Sequence, residues 1–148
     1  MNVLISACLL GVACRYDGAS RPLENLSLDV KGVHFIPVCP EILGGLPTPR
    51  VPAERVGARV LRRDGVDVTA EYRRGAEETL RLARLFDCRY AVLKERSPSC
   101  GNGAVYDGSF SGVLTAGDGV TAELLKAHGI TVIGESELSA FLGSIGVE

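Results

Sequence analysis

The sequence predicts an α/β fold: a single-domain, three-layer sandwich with a mostly parallel sheet and small β-hairpin excursions. Three observations point there. Short apolar runs rich in β-branched residues recur as "NVLISA", "VHFIPV", "RYAVLK" and "ITVIG", the pattern of strands buried on both faces. Helical patterns stand between and after the later runs, which suits parallel strands joined by crossovers. The remaining stretches are short and turn-rich, which suits hairpins set outside the main sheet.

In chain order, residues 2–7 form the first expected strand. The loop "CLLGVACRYDGASRP" comes next, broken by Gly11, Gly18 and Pro22. The second strand covers 33–38. "CPEILGGLPTPRVPAE" (39–54) holds four prolines and two glycines and reads as a long irregular segment. Loops of that length are usually functional or disordered, and its apolar residues argue against disorder. "ARVLRRDGVDVT" (58–69) reads as a hairpin turned at Asp64-Gly65. A helix is expected over 70–87, with Thr69 as its N-cap. Tyr72, Ala76, Leu80 and Ala83 recur on its apolar side, and Glu77 and Arg81 are an i,i+4 pair on the polar side. The third strand is 89–94. "AVYDGSFSGVL" (104–114) is a small extended or hairpin element. A short helix over 121–128 stops at Gly129. A fourth strand covers 130–134, and "SELSAFLGSI" is a closing helix capped by Ser136.

Bulk properties narrow the function classes. The chain has 148 residues and net charge −2, enough for one sizeable core and without a basic excess that would predict nucleic-acid binding. Tryptophan is absent and aromatics are few, so stacking platforms for single strands are not expected. No apolar run approaches the ~20 residues of a membrane span. The start "MNVLISACLLG" lacks a basic leader segment, so the expected location is the cytoplasm. There, five cysteines read as thiols, metal ligands or catalytic groups before they read as disulfides.

Their placement carries the functional argument. Cys8, Cys39 and Cys100 each lie just beyond the carboxyl end of an expected strand. In a parallel sheet those ends share one edge, where ligands bind. Three thiolates on that edge suit a soft metal or an iron–sulfur cluster. Cys88, at the start of a strand, reads as a small core residue. Cys14, in the first loop, reads equally as a bystander or a fourth ligand. Glu41 follows Cys39 by two residues, and Ser97 precedes Cys100 by three with Pro98 between them. A carboxylate there can move protons, and a hydroxyl can donate to or orient a substrate. Arg15, Asp17, Arg50 and Glu54 lie on the neighbouring loops. Either arginine could hold an anionic or carbonyl-bearing ligand, although surface ion pairs are the commoner use. "GDGVT" (117–121), ahead of a helix, reads as a capped turn or, less simply, as an anion site.

The stretches "ISACLLGVACRYDG", "CPEILGGLPTPRVPAE", "GVDVT", "LKERSPSCG" and "YDGSFSG" resemble a bacterial family, long catalogued as a domain of unknown function, that includes thiouracil desulfidases. The chain resembles its single-domain form, without the second domain associated with thiolated tRNA. The resemblance implies a [4Fe-4S] cluster on Cys8, Cys39 and Cys100, with the fourth iron left open to take the sulfur of a small thiolated substrate. It also implies that Glu41 is the acid–base carboxylate and Ser97 the assisting hydroxyl. The implied reaction is hydrolytic: water supplies the new carbonyl oxygen, sulfur leaves as sulfide, and no electron donor is needed. A fourth cysteine on the open iron would block this route, so Cys14 must stand aside. Two other readings remain. One is a structural or interaction module with zinc on Cys8, Cys14, Cys39 and Cys100. The other is a cysteine-based redox protein with Cys100 as nucleophile, which lacks an evident base because His34 and His128 are the only histidines.

Overall fold

A computed structural model describes residues 1–23 and 30–145. At its centre lie four strands, β1 (Asn2–Ser6), β2 (His34–Val38), β5 (Tyr90–Leu93) and β8 (Thr131–Gly134). They form a parallel sheet in the order β2-β1-β5-β8. Alternation along them sorts two cores. Leu4, Ala91, Leu93 and Val132 face helices α2 (Thr69–Leu85) and α3 (Val120–Ala127), where they meet Leu80, Ala83, Ala122 and Leu125. Val3, Ile5, Val92 and Ile133 face the other way, toward α4 (Leu138–Ser144) and its Leu138 and Phe141. Helices on both faces make the expected three layers.

Two small antiparallel pairs stand apart from the sheet: β3 (Ala53–Val56) with β4 (Arg59–Arg62), and β6 (Ala104–Tyr106) with β7 (Leu114–Ala116). The first corrects the expected hairpin. Its ladder turns at Gly57, which holds φ +59°. Asp64-Gly65 makes only a tight return, with Val66 O accepting from Arg62 N at 2.8 Å and an isolated Leu61–Asp67 bridge.

Three further expectations shift. Residues Pro40–Leu43 form a one-turn helix, α1, inside the segment read as irregular; proline is tolerated at a first helical position because its missing N–H would be unpaired anyway. Thr69 is the first residue of α2 and not its cap. Its Oγ1 accepts from Val60 N at 2.8 Å, and the Asp67 carboxylate takes Thr69 N–H at 2.9 Å. Ser136 lies in the 3₁₀ turn Glu135–Glu137 that precedes α4, where its N–H and hydroxyl both donate to Glu95. On α2 the exposed pair is Arg81 with Glu78, at 3.8 Å. The expected apolar side of α2 is buried, with Gly75 and Thr79 added to it.

The contact between α1 and α2 is unusually close. A Cβ on Gly44 would lie 2.0 Å from Glu71 O, and one on Gly75 would lie 1.9 Å from Pro40 O. Backbone meets backbone there, so α1 lies directly on α2 with no side chain between them. Glu41 is thereby held above Tyr72.

Candidate active site

The chain leaves β1 for β2 on one side and later enters β5 and β8 on the other. The connections therefore diverge between β1 and β5, the kind of crevice where ligands bind in open α/β sheets. A cavity of about 590 Å³ opens there, lined among others by Cys8, Cys14, Cys39, Glu41, Ser97 and Cys100.

Each cysteine arrives from its own strand. Cys8 sits in the 3₁₀ turn Ala7–Leu10 after β1. Cys39 is the residue between β2 and α1. Cys100 ends the turn "SPSC" after β5, closed by Gly101 N donating to Ser97 O at 2.8 Å. That turn is held by α3. Val120 N donates to Pro98 O at 2.9 Å, and Thr121 N and Ala122 N donate to Ser99 O at 2.8 and 3.2 Å. The amides expected either to cap a turn or to receive an anion are thus spent on the cysteine loop.

The thiols share one environment. Burial pushes Cys8 up to about 12, and the neighbouring charges of Cys100, Cys14 and Cys39 add to the shift. Burial likewise pushes Cys14 and Cys100 up to about 12. Such thiols stay protonated at neutral pH until a cation takes them as thiolates. Cys100 Sγ has two hydroxyls within reach, Ser6 Oγ and Ser99 Oγ, each at 3.5 Å, and Ser6 is the donor, since the Ser99 proton has the nearer Glu41 Oε1 at 2.9 Å. Ser6 Oγ in turn accepts from Lys94 N at 2.9 Å, tying the end of β1 to the end of β5. Cys39 Sγ donates to the Cys14 carbonyl at 3.9 Å.

The chemistry of this donor set, the buried Cys8 and Cys100 and the half-buried Cys39 with the Ser6 hydroxyl donating to Cys100, fits an iron–sulfur cluster, whose sulfurs are typically hydrogen-bonded by the protein. A tetrahedral zinc site on four thiolates would hold its sulfurs within about 4 Å of one another. Among the described residues no three His, Cys, Asp or Glu side chains converge in that way on one ion.

Glu41 is held from two sides. Its Oε1 accepts from Ser99 Oγ at 2.9 Å, and its Oε2 pairs with the Arg50 guanidinium. Arg50 also donates to the carbonyls of Cys14 at 2.9 Å and Pro47 at 3.1 Å, and its side chain is only 6 % exposed. Its Nε is buried without a partner among the described residues. Tyr72 lies beneath, its phenol pushed up chiefly by burial and then by the Glu41 charge.

Ser97 does not reach Glu41 directly. Its Oγ accepts from Ser99 N and Cys100 N, each at 3.1 Å, and meets Ser99 Oγ at 3.0 Å. Arg15 lines the cavity, stacks 5.6 Å from the Tyr16 ring centre and lies 3.7 Å from Asp17. Asp17 is outside the cavity lining. Its carboxylate takes Ala19 N–H at 2.9 Å and serves the turn, which lowers its pKa. Glu54 lines the cavity with its carboxylate committed to Gly108 N and Phe110 N. Cys88 packs in the α2–α3 core.

A family model described as 2-thiouracil desulfurase matches residues 3–137. The chain belongs to the 2-thiouracil desulfurase family. One relative in that setting is the uncharacterized protein YbbK of Bacillus subtilis (strain 168), 43% identical over 150 aligned positions that cover 95% of this chain and 99% of YbbK. Among solved structures, the [4Fe-4S]-dependent thiouracil desulfidase TudS superposes with a TM-score of 0.91 at 47% identity, covering 98% of this chain and 97% of that one. Membership in the 2-thiouracil desulfurase family thus rests on sequence and on fold together. No helix among the described residues is long and apolar enough to cross a membrane.

Two residues of this site escape a reading of the sequence. Ser6 is a polar residue closing an apolar strand, and its burial at 3 % is the signal that it serves something. Ser99 is 2 % exposed, and in "SPSC" nothing distinguishes it from Ser97 until α3 packs on the loop.

Proposed function

We propose that this protein is a [4Fe-4S]-dependent desulfidase that converts the C=S group of a thiolated nucleobase, nucleoside or similar small thiocarbonyl compound to C=O by hydrolysis. The cluster would be held by Cys8, Cys39 and Cys100, with Cys14 left off the iron. When bound, it supplies a Lewis-acidic iron without a protein ligand, a soft match for a thiocarbonyl sulfur. One observation supports the reading best. The three cysteines come after three adjacent strands around a single cavity, and a carboxylate fixed on both oxygens lines the same cavity.

Glu41 takes a proton from the attacking water and returns one to a ring nitrogen or to the departing sulfur. The bookkeeping closes as thiocarbonyl plus water to carbonyl plus hydrogen sulfide, with no change of oxidation state. Arg50 holds Glu41 in place from a side chain that is itself buried. Ser97 assists from the Cys100 loop. Arg15, which lines the cavity wall, would meet the polar edge of the substrate.

The test is preparation without oxygen, quantitation of iron and acid-labile sulfide, and a sulfide-release assay on a panel of thiouracils and thiolated nucleosides. The expected result is a coloured protein that releases sulfide from at least one of them. A colourless protein that iron and sulfide cannot reconstitute would overturn the proposal.

A further inference from the structure

We infer that Ser99 is a positioning residue of this site: its hydroxyl fixes the Glu41 carboxylate against the Cys100 loop, and Ser97 acts on Glu41 only through it. The inference rests on the proposed desulfidase function.

Valence sets the directions of the bonds. A serine oxygen has one proton and two lone pairs. Ser97 Oγ accepts two backbone N–H groups, from Ser99 and Cys100, so both lone pairs are used. Its proton is left for Ser99 Oγ, 3.0 Å away. Ser99 Oγ then has one proton of its own and two acceptors in reach, Glu41 Oε1 at 2.9 Å and Cys100 Sγ at 3.5 Å. A carboxylate oxygen makes the stronger bond. The hydroxyls therefore run one way, from Ser97 to Ser99 to Glu41.

Ser99 cannot drift from this task. It is 2 % exposed, and its carbonyl takes two amides of α3. A Cβ on Gly119 would lie 2.4 Å from its carbonyl carbon, so the helix start lies directly against it. The Glu41 carboxylate is thus gripped by Arg50 on Oε2 and, through Ser99, by α3 on Oε1. Without the Ser99 hydroxyl, Oε1 loses its tie to the Cys100 loop while Oε2 keeps the Arg50 grip, and the carboxylate can turn toward the guanidinium.

The test compares Ser99→Ala, Ser97→Ala and the double variant as cluster-loaded protein prepared without oxygen. Iron, sulfide and visible absorbance per chain should match the unmodified protein in all three. For Ser99→Ala, kcat should fall about 10- to 100-fold, the scale of one lost hydrogen bond to a charged group, with KM within about twofold because no substrate contact is removed. The double variant should fall no further than Ser99→Ala, since residues acting as one unit are not additive. Infrared spectroscopy gives a readout apart from turnover: the Glu41 carboxylate band, identified by its loss in Glu41→Gln, should shift in Ser99→Ala. An unshifted band, a nearly unchanged kcat, or a double variant that loses the product of the two single effects would overturn the inference. A fully loaded unmodified protein that releases no sulfide from any thiolated compound would instead overturn the desulfidase function, and the infrared band would still decide the Ser99–Glu41 bond.

Discussion

Cys88 and Cys100 are equally buried, each 5 % exposed, and both belong to the core that α2 and α3 cover. They sit at opposite ends of β5. Cys88 precedes the strand, packs with Leu80 and Ala83, and lines no part of the cavity at the switch point. Cys100 follows the strand on a turn pinned by α3, has the Ser6 hydroxyl as a donor, and lines that cavity. Burial is therefore not what separates a core cysteine from a site cysteine. The end of the strand and the hydrogen bond offered to the sulfur separate them.

The sharpest way to break this contrast is to remove each sulfur in turn. Cys100→Ala, like Cys8→Ala or Cys39→Ala, is expected to bring iron per chain and sulfide release to background, measured on anaerobically reconstituted protein. Loss of iron in Cys88→Ala as well would erase the distinction between the two ends. Next in size is Glu41→Gln. It should keep its iron and lose about 10²- to 10⁴-fold in kcat, the usual worth of a positioned acid–base group.

Gly75→Ala tests how Glu41 is placed from behind the site. The new methyl would meet Pro40 O, a backbone atom that cannot rotate aside. A cost of about 1–3 kcal/mol in denaturant unfolding is expected, as for overpacking elsewhere, together with a lower kcat as α1 is pushed off α2. An undisturbed kcat would show that α1 does not need this contact to aim its carboxylate.

A smaller effect concerns pH in metal-free protein. Thiols with an ordinary value of 9.0 are pushed up to about 12 in Cys8, Cys14 and Cys100 on folding. The unfolded chain ionises first, so stability is full below pH 9 and falls as pH rises from there toward 12. Chemical unfolding as a function of pH should show this decline, and the Cys8→Ala/Cys100→Ala double variant should flatten it. The smallest effect is expected for Cys88→Ala. It should cost about 1 kcal/mol, an ordinary core truncation, with iron and kcat unchanged.

The strands β1, β5 and β8 are legible in the sequence because buried parallel strands must be apolar along most of their length; β2, at the sheet edge and largely uncovered, is legible from its apolar run alone, and the cysteine positions follow from the strands. The helix α1 is not legible. Its four residues lie among prolines and glycines that usually break helices, and its stability comes from lying on α2. The β3–β4 register is hidden because Asp64-Gly65 is a strong local turn signal, while the ladder that forms turns at Gly57 and is fixed by packing of Val60, Val68 and Tyr72. The site divides in the same way. Cys8, Cys39, Cys100 and Glu41 are expected from their place after strands, and all four line one cavity. The bonds that Ser99 and Arg50 make to Glu41 depend on segments 58 and 9 residues away, and no local pattern records them.

The grip of α3 on the cysteine turn also imposes an order in time. Cys8, Cys39 and Cys100 are all synthesised before residues 119–122, whose amides hold the turn, and before Glu135 and Ser136, which bind Lys94 and Glu95 at its base. A nascent chain therefore carries all three thiols well before it can hold them in register. The turn that carries Cys100 is held at both ends only once residues 119–136 have been made.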